Sequence, residues 1–309
     1  MSASPPLTMA QHLARFYARR ELPGWGRVLR GAGVYNDAAW KGAGTFESCG
    51  KWDRCRVSLD LSNWSERQTY FLGRFYDLPM QLLLRGFVRP GDCVVDVGAN
   101  VGMISILAAR LVGPSGRVVS FEPNPTAFRK LSSALRTNSL SWVSPRPCAL
   151  ADQHGELMLS VVTEHTGMGT LAPVPPADAG LVSATHLVRV CVGDEVLEAE
   201  AARPSLIKID VEGFELAVLK GLARTLVRHH PIVAAEIVQV HLRRAGTSAE
   251  AVFDLMRGLG YEAFGLATRR RPVRHRLHLP AITKPSADFN NVVWIHRDDE
   301  RLAVATGFA

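Results

Sequence analysis

No apolar run in the 309-residue chain approaches the roughly 18–20 residues that a membrane-spanning helix needs. The opening residues, MSASPPLTMAQHLARFYARR, also lack the uninterrupted apolar segment of a secretory signal. A cytoplasmic protein with no membrane partner is expected. Cysteine is scarce. Cys49, Cys55, Cys93, Cys148 and Cys191 form an odd, scattered set, which argues against a disulfide framework and for reduced thiols. Cys49 and Cys55 alone are close, and no histidine near them completes a metal site. Internal repeats and low-complexity tracts are missing too, so a solenoid or fibrous architecture is excluded. The net charge of +7 comes with one dense basic stretch, residues 269–276. Aromatics interleaved with that charge, which a single-strand groove would use, are nearly absent. A small molecule is therefore the expected partner, and nucleic acid is not.

The chain also lacks GxGxxG, yet it has a strand-turn-helix unit where that motif would stand. Residues 92–102, DCVVDVGANVG, run from a β-branched apolar segment into Asp96 and then into a turn with Gly98, Asn100 and Gly102. Good helix formers follow in residues 103–112. Glycine lets backbone pass close to a ligand, and asparagine visits left-handed conformations readily. The carboxylate of Asp96 would repel a pyrophosphate but favour the ammonium and sulfonium of S-adenosylmethionine. Twenty residues past Gly102, the next strand-like segment, RVVSFEP, ends in Glu122, a spacing suited to accepting hydrogen bonds from ribose hydroxyls. Against this stands the plainer reading of Asp96 as a turn-former and Glu122 as a helix N-terminal charge. The unit is the first half of a Rossmann-like βαβ.

A second acidic centre lies in residues 206–213, LIKIDVEG, where a buried strand presents Asp210 and Glu212 at its carboxyl end. One of these acids has a structural alternative as a helix cap. Glu236 lies near the carboxyl end of the apolar segment PIVAAEIV, where a carboxylate is costly unless paired or lining a cleft, and His241 follows closely.

DVGANVG, FEPNP, IKIDVEGFELAVLKGL and AAEI, in this order, resemble the FkbM family of S-adenosylmethionine-dependent methyltransferases. The resemblance covers roughly residues 66–296. It implies a class I methyltransferase fold, α/β and Rossmann-like, with a mostly parallel seven-stranded sheet whose last strand is antiparallel. It also implies methylation of hydroxyls on sugars, polyketides and other natural products. S-adenosylmethionine would then be held by Asp96, Gly98, Asn100, Gly102, Glu122, Pro123, Asn124, Ala149, Leu150 and Asp210. Asp152 is a further contact or an ordinary turn residue.

Asp210, Glu212, Glu236 and His241 are the catalytic candidates, as base or as acceptor-orienting groups. Such a set also suits Mg²⁺, but its spacing is not diagnostic and no metal is predicted. Two rival functions remain at this point, a Rossmann-type nucleotide-dependent oxidoreductase and a non-catalytic interaction protein on the same fold.

The expected division is residues 1–65 as a variable N-terminal segment with a strand-like run at 56–62, serving as a cap, an oligomer contact or an acceptor-side addition, and 66–309 as the methyltransferase domain. Leu13, Phe16 and Tyr17 give residues 9–20 a helical apolar face that reads as a packing face more often than as a membrane anchor. Tyr76 and Asp77 read equally as a site pair or, for Asp77, as the cap of the following helix. Arg67 and Arg74 are candidates for the methionine carboxylate. The long loop 163–185 offers His165 and Thr166 as acceptor contacts. Arg269, Arg270, Arg271, Arg274 and Arg276 suit a phosphate or carboxylate on an acidic or carrier-linked acceptor, or serve only as a solvated loop.

Overall fold

Val94, Val95 and Val97 are β-branched and nearly inaccessible, and they lie in a strand deep inside an eight-stranded sheet. The computed structural model describes residues 7–162, 169–270 and 275–307. The longer strands of this sheet are numbered here in chain order. They are β1 (Cys93–Val97), β2 (Arg117–Phe121), β3 (Val143–Arg146), β4 (Leu206–Ile209), β5 (Ile232–Glu236), β6 (Tyr261–Gly265) and β7 (Asn291–His296). Their lateral order is β3-β2-β1-β4-β5-β7-β6. β7 runs antiparallel to both neighbours, and β1 to β5 pair in parallel. This is the expected class I arrangement, with a two-residue edge strand, Ala281–Ile282, added beside β6.

Between β1 and β4 the strand order reverses. Connections from β1 and from β4 leave in opposite directions there, opening a crevice at the carboxyl ends of both strands. The turn after β1 and the acidic turn after β4 meet in that crevice. Each is backed by a helix, Met103–Val112 behind the first and Glu215–Gly221 behind the second. A third helix, Pro125–Thr137, follows β2 and begins with proline, its N-terminus capped by the Asn124 side chain accepting from the Thr126 N–H.

The stretch 143–151 forms two separate strands. Pro147 has no N–H to donate, and the ladder breaks around it. β3 stays in the central sheet, whereas Ala149–Ala151 joins a separate four-stranded sheet with Gly155–Val162, Gly169–Thr170 and Val182–Val192. The loop expected over 163–185 is correspondingly shorter. Val182–Val192 begins inside it and pairs antiparallel with Gly155–Val162. His165 and Thr166 lie outside the described residues.

Residues 267–278 contain an antiparallel pair, Ala267–Arg270 with His275–His278, which sets Arg269 opposite Arg276. Arg271 and Arg274 fall outside the described residues. Leu277 is buried there, within 3.8 Å of the position a Gly86 Cβ would take.

The N-terminal segment combines helices with the strand expected over 56–62. It holds helices Met9–Arg19 and Trp25–Gly31 and a hairpin, Thr45–Cys49 with Arg56–Asp60. The expected boundary at residue 65 cuts through helix Trp64–Leu72. Ala18, Leu29, Trp40 and Leu59 share one apolar cluster with Val94 and Ile106, so the segment covers one face of the central sheet. Helix Met9–Arg19 reverses the expected packing: Ala14 and Ala18 are the residues buried, while Leu13 is 61% and Phe16 56% exposed.

Candidate active site

Gly98 makes the turn after β1 possible. Its φ is +77°, and a Cβ there would stand 1.9 Å from the Asp210 carbonyl oxygen, so only glycine lets the two turns touch. Asn100 is left-handed at φ +50°, as its residue type allows. That conformation aims the Asn100 N–H at Glu122 Oε2, 2.7 Å away, while Glu122 Oε1 accepts from the Asn124 N–H at 2.8 Å. Burial pushes the Glu122 carboxyl up to about 7, against the pull of those two donors. Glu122 thus clamps the ends of two strands while still lining a cleft with Asn100, Pro123 and Asn124. The far part of this cleft is apolar, formed by Ala149, Leu150, Leu159 and Phe214. Asn100 Oδ1 is buried there without a hydrogen-bond partner. Gly102 lines neither of the two clefts described here; a Cβ on it would lie 2.5 Å from Leu131, so it serves the close packing of helix Pro125–Thr137.

Asp96 requires a correction. Parallel register sets it beside Lys208 on β4 and Ser120 on β2, and it is completely buried. Lys208 Nζ lies 3.3 Å from Asp96 Oδ1, and the Ser105 hydroxyl donates to Oδ2 at 2.6 Å. The carboxylate lies among side chains below the turn and lines neither cleft, so its charge is answered by Lys208 rather than presented to a ligand. Lys208 also donates to the Gly98 carbonyl at 2.7 Å and lies 3.5 Å from Asp210 Oδ2. Its neighbouring carboxylates push its ammonium up to about 12 despite the opposing effect of burial.

Arg67 and Arg74 likewise stand away from the clefts. Arg67 is buried, donates to the Val34 and Leu61 carbonyls and pairs with Asp37; Arg74 pairs with Glu21 at 2.7 Å. Both are staples of the N-terminal segment. Asp77 caps helix Leu78–Phe87 by accepting from the Met80 N–H, the structural alternative foreseen for it, while also lining the second cleft. Asp152 is exposed and outside the clefts, and so are Arg269 and Arg276 of the 267–278 hairpin.

The second cleft adjoins the first, sharing Gly98, Asn100, Asp210 and Glu212 with it. Here Asp210, Glu212 and Glu236 bring carboxylate oxygens within 4.8 Å of one another, close enough to share a proton or a divalent cation. Burial first, then repulsion from Asp210 and Glu212, pushes the Glu236 carboxyl up to about 8. His241 Nδ1 sits 2.7 Å from Glu212 Oε2, and that contact raises the imidazole above its ordinary value. Trp64, Phe75 and Tyr76 form the opposing wall, with ring centroids 4.8 Å apart for Trp64 and Tyr76 and 4.5 Å for Phe75 and Tyr76. The Tyr76 hydroxyl is pushed upward by burial and then by Asp210, which keeps it a protonated donor.

Sequence reasoning missed two residues that build this geometry. Glu212 is left-handed at φ +54°, an unusual state for its type. Buried Glu215 holds the turn from beneath, with Oε1 accepting from the N–H groups of Gly213 at 3.1 Å and Val211 at 3.4 Å. Thr170, from the second sheet, donates its hydroxyl to the Glu212 carbonyl at 3.2 Å. A third acid within six residues of Asp210 was the readable signal for Glu215; Thr170 had none, because its partner is 42 residues away in sequence.

Residues 96–263 match the family model of the methyltransferase FkbM domain, more than half of the chain. Among curated proteins, the chain is 32% identical over 204 residues to the 31-O-demethyl-FK506 methyltransferase FkbM of Streptomyces tacrolimicus, covering 56% of this chain and 74% of that one. It is 30% identical over 144 residues to Methyltransferase 1 of Beauveria bassiana. That second match covers 42% of this chain and spans only 57% of the fungal protein. Among solved structures, the crystal structure of a methyltransferase FkbM from Methylobacillus flagellatus is similar with a TM-score of 0.40 and 15% identity, covering 88% of this chain and 60% of that one.

Proposed function

The chain belongs to the FkbM methyltransferase family, and from that premise we propose that it transfers a methyl group from S-adenosylmethionine to a hydroxyl oxygen of a small-molecule acceptor. One observation carries the reading. The Asp210 and Glu212 turn borders both clefts, so a donor in the first and an acceptor in the second would meet at the acidic cluster. The first cleft suits the donor. Its acid stands at the strand end where ribose hydroxyls bind in such folds, its far wall is apolar, and Asn100 Oδ1 is an acceptor without a donor. Glu122 would hold the ribose, Ala149, Leu150 and Phe214 the adenine, and the Gly98–Asn100 turn the amino-acid portion. S-adenosylmethionine, when bound, supplies the electrophilic methyl.

The rest of the chemistry falls to this chain's own groups. Fixing the acceptor between the Trp64 and Tyr76 wall and the carboxylates supplies orientation, which can account for much of the rate in a displacement. A hydroxyl is a weak nucleophile and gains from losing its proton as the new bond forms. Glu236, held up to about 8, keeps its proton near neutral pH and becomes an acceptor for another once that proton leaves. Glu212 holds His241 in place beside it. Oxygen as the methylated atom is supported by the relative described as a 31-O-demethyl-FK506 methyltransferase.

Thermal shift and calorimetry with S-adenosylmethionine, S-adenosylhomocysteine and NAD⁺ test the first half of the proposal, with binding of the first two expected and none of the third. Methyl transfer from labelled S-adenosylmethionine to a panel of hydroxylated small molecules tests the second. Selective binding of NAD⁺ would replace the reading with an oxidoreductase.

A further inference from the structure

Helix Met9–Arg19 is held rigidly, yet it wears its large apolar side chains outward. Thr8 and Gln11 close a capping box at its start. Arg15 donates to the Tyr70 carbonyl at 3.2 Å and to Ser48, and Arg19 donates to the Cys49 carbonyl at 2.9 Å. Small residues, Ala14 and Ala18, form the buried contact. Met9, Leu13 and Phe16, at spacings of four and three, therefore line one outer stripe at 74%, 61% and 56% exposure. Arg20 extends the stripe by a further turn, its guanidinium 3.5 Å above the Phe16 ring.

Charge chooses the occupant of this stripe. Between residues 7 and 36 the chain has five arginines and a single acid, Glu21. That acid is already engaged by Lys51 and Arg74. Arg20, Arg27 and Arg30 are exposed around an apolar ridge with no acidic side chain to answer them within the segment. A second copy of the same face would bring like charges together. A convex ridge of methionine, leucine and phenylalanine flanked by arginines has the composition of a helix lying in a lipid headgroup layer. We infer that this face docks the protein onto an anionic lipid surface. Arg15 binds the helix to Trp64–Leu72, whose first turn lines the second cleft, so the docked face and that cleft share one rigid element.

The full chain should co-sediment with vesicles of phosphatidylcholine containing phosphatidylglycerol and not with phosphatidylcholine alone, with binding falling as salt rises. Leu13→Asp with Phe16→Asp, at exposed positions, should leave the melting temperature unchanged and lower vesicle partition by about tenfold or more. No partition onto the anionic vesicles at low salt, or equal partition by the double variant, overturns the inference. A dimer seen by light scattering that the double variant abolishes, without vesicle binding, overturns it in favour of self-association.

Discussion

Glu236 and His241 are both biased toward their protonated forms, Glu236 by burial and then by the like charges of Asp210 and Glu212, His241 by its contact with Glu212. Replacing Glu236 by Gln or His241 by Ala should lower turnover by about 10²–10⁴, with S-adenosylmethionine affinity kept, as calorimetry beside kinetics would show. The wild-type kcat/KM should climb through about pH 8 as Glu236 loses its proton, and Glu236→Gln should lose that limb of the profile. Asp96 belongs to another class. With Lys208 nearly buried beside it, Asp96→Ala leaves a buried charge short of its closest partner, which should cost on the order of 3 kcal/mol in urea unfolding. Unchanged stability with collapsed cofactor affinity would restore Asp96 as a direct ligand contact.

At the scale of elements, the site is two turns pressed together where the strand order reverses. Gly98→Ala would place a Cβ against the Asp210 carbonyl in a left-handed conformation, so both the melting temperature and cofactor affinity should drop together. Gly155→Ala makes the matched control: no atom lies within 4 Å of its Cβ position, and the change should stay within about 1 kcal/mol. A Gly98→Ala protein with wild-type affinity would mean that the contact between the turns is not needed. Thr170 extends the element argument across sheets, because its hydroxyl ties the four-stranded sheet to the backbone of Glu212. Thr170→Val should thus impair turnover more than unfolding stability, read by kcat beside a denaturation curve.

For the whole molecule, the perturbed groups oppose one another across neutral pH. Glu122 and Glu215 are raised to about 7 and Glu236 to about 8, from an ordinary 4.5. Folding therefore favours their protonated forms, and the stability they contribute is fully present below about 4.5 and is lost as pH rises from there through 7 to 8. His296 goes the other way. Burial and the stacked His230 ring, 3.5 Å away, lower it from 6.5, so its contribution is present above 6.5 and is lost as pH falls. Three raised acids outweigh one lowered histidine, so the ligand-free melting temperature should decline as pH rises from about 5 to 8. Calorimetric scans from acid to pH 9 would show it; a monotonic rise toward pH 9 would contradict the buried-acid argument.

Strand by strand, the central sheet was legible because its signals are local. β-branched runs ending at glycine or acid announced β1, β4 and β5, and Asn100 announced its own left-handed state. Glu122, Asp210, Glu212, Glu236 and His241 were legible as a set because each ends or follows such a strand. What the sequence could not determine depends on partners distant along the chain. Asp96 looked outward until parallel register put Lys208 beside it, 112 residues away. Arg67 and Arg74 looked like anion binders until the N-terminal segment supplied Asp37 and Glu21. The outer helix had an apolar period, but periodicity is blind to which side of a helix meets the core. Only the tertiary structure decided that Ala14 and Ala18 would face inward, because Arg15 and Arg19 tie that side of the helix to the backbone of Tyr70 and Cys49.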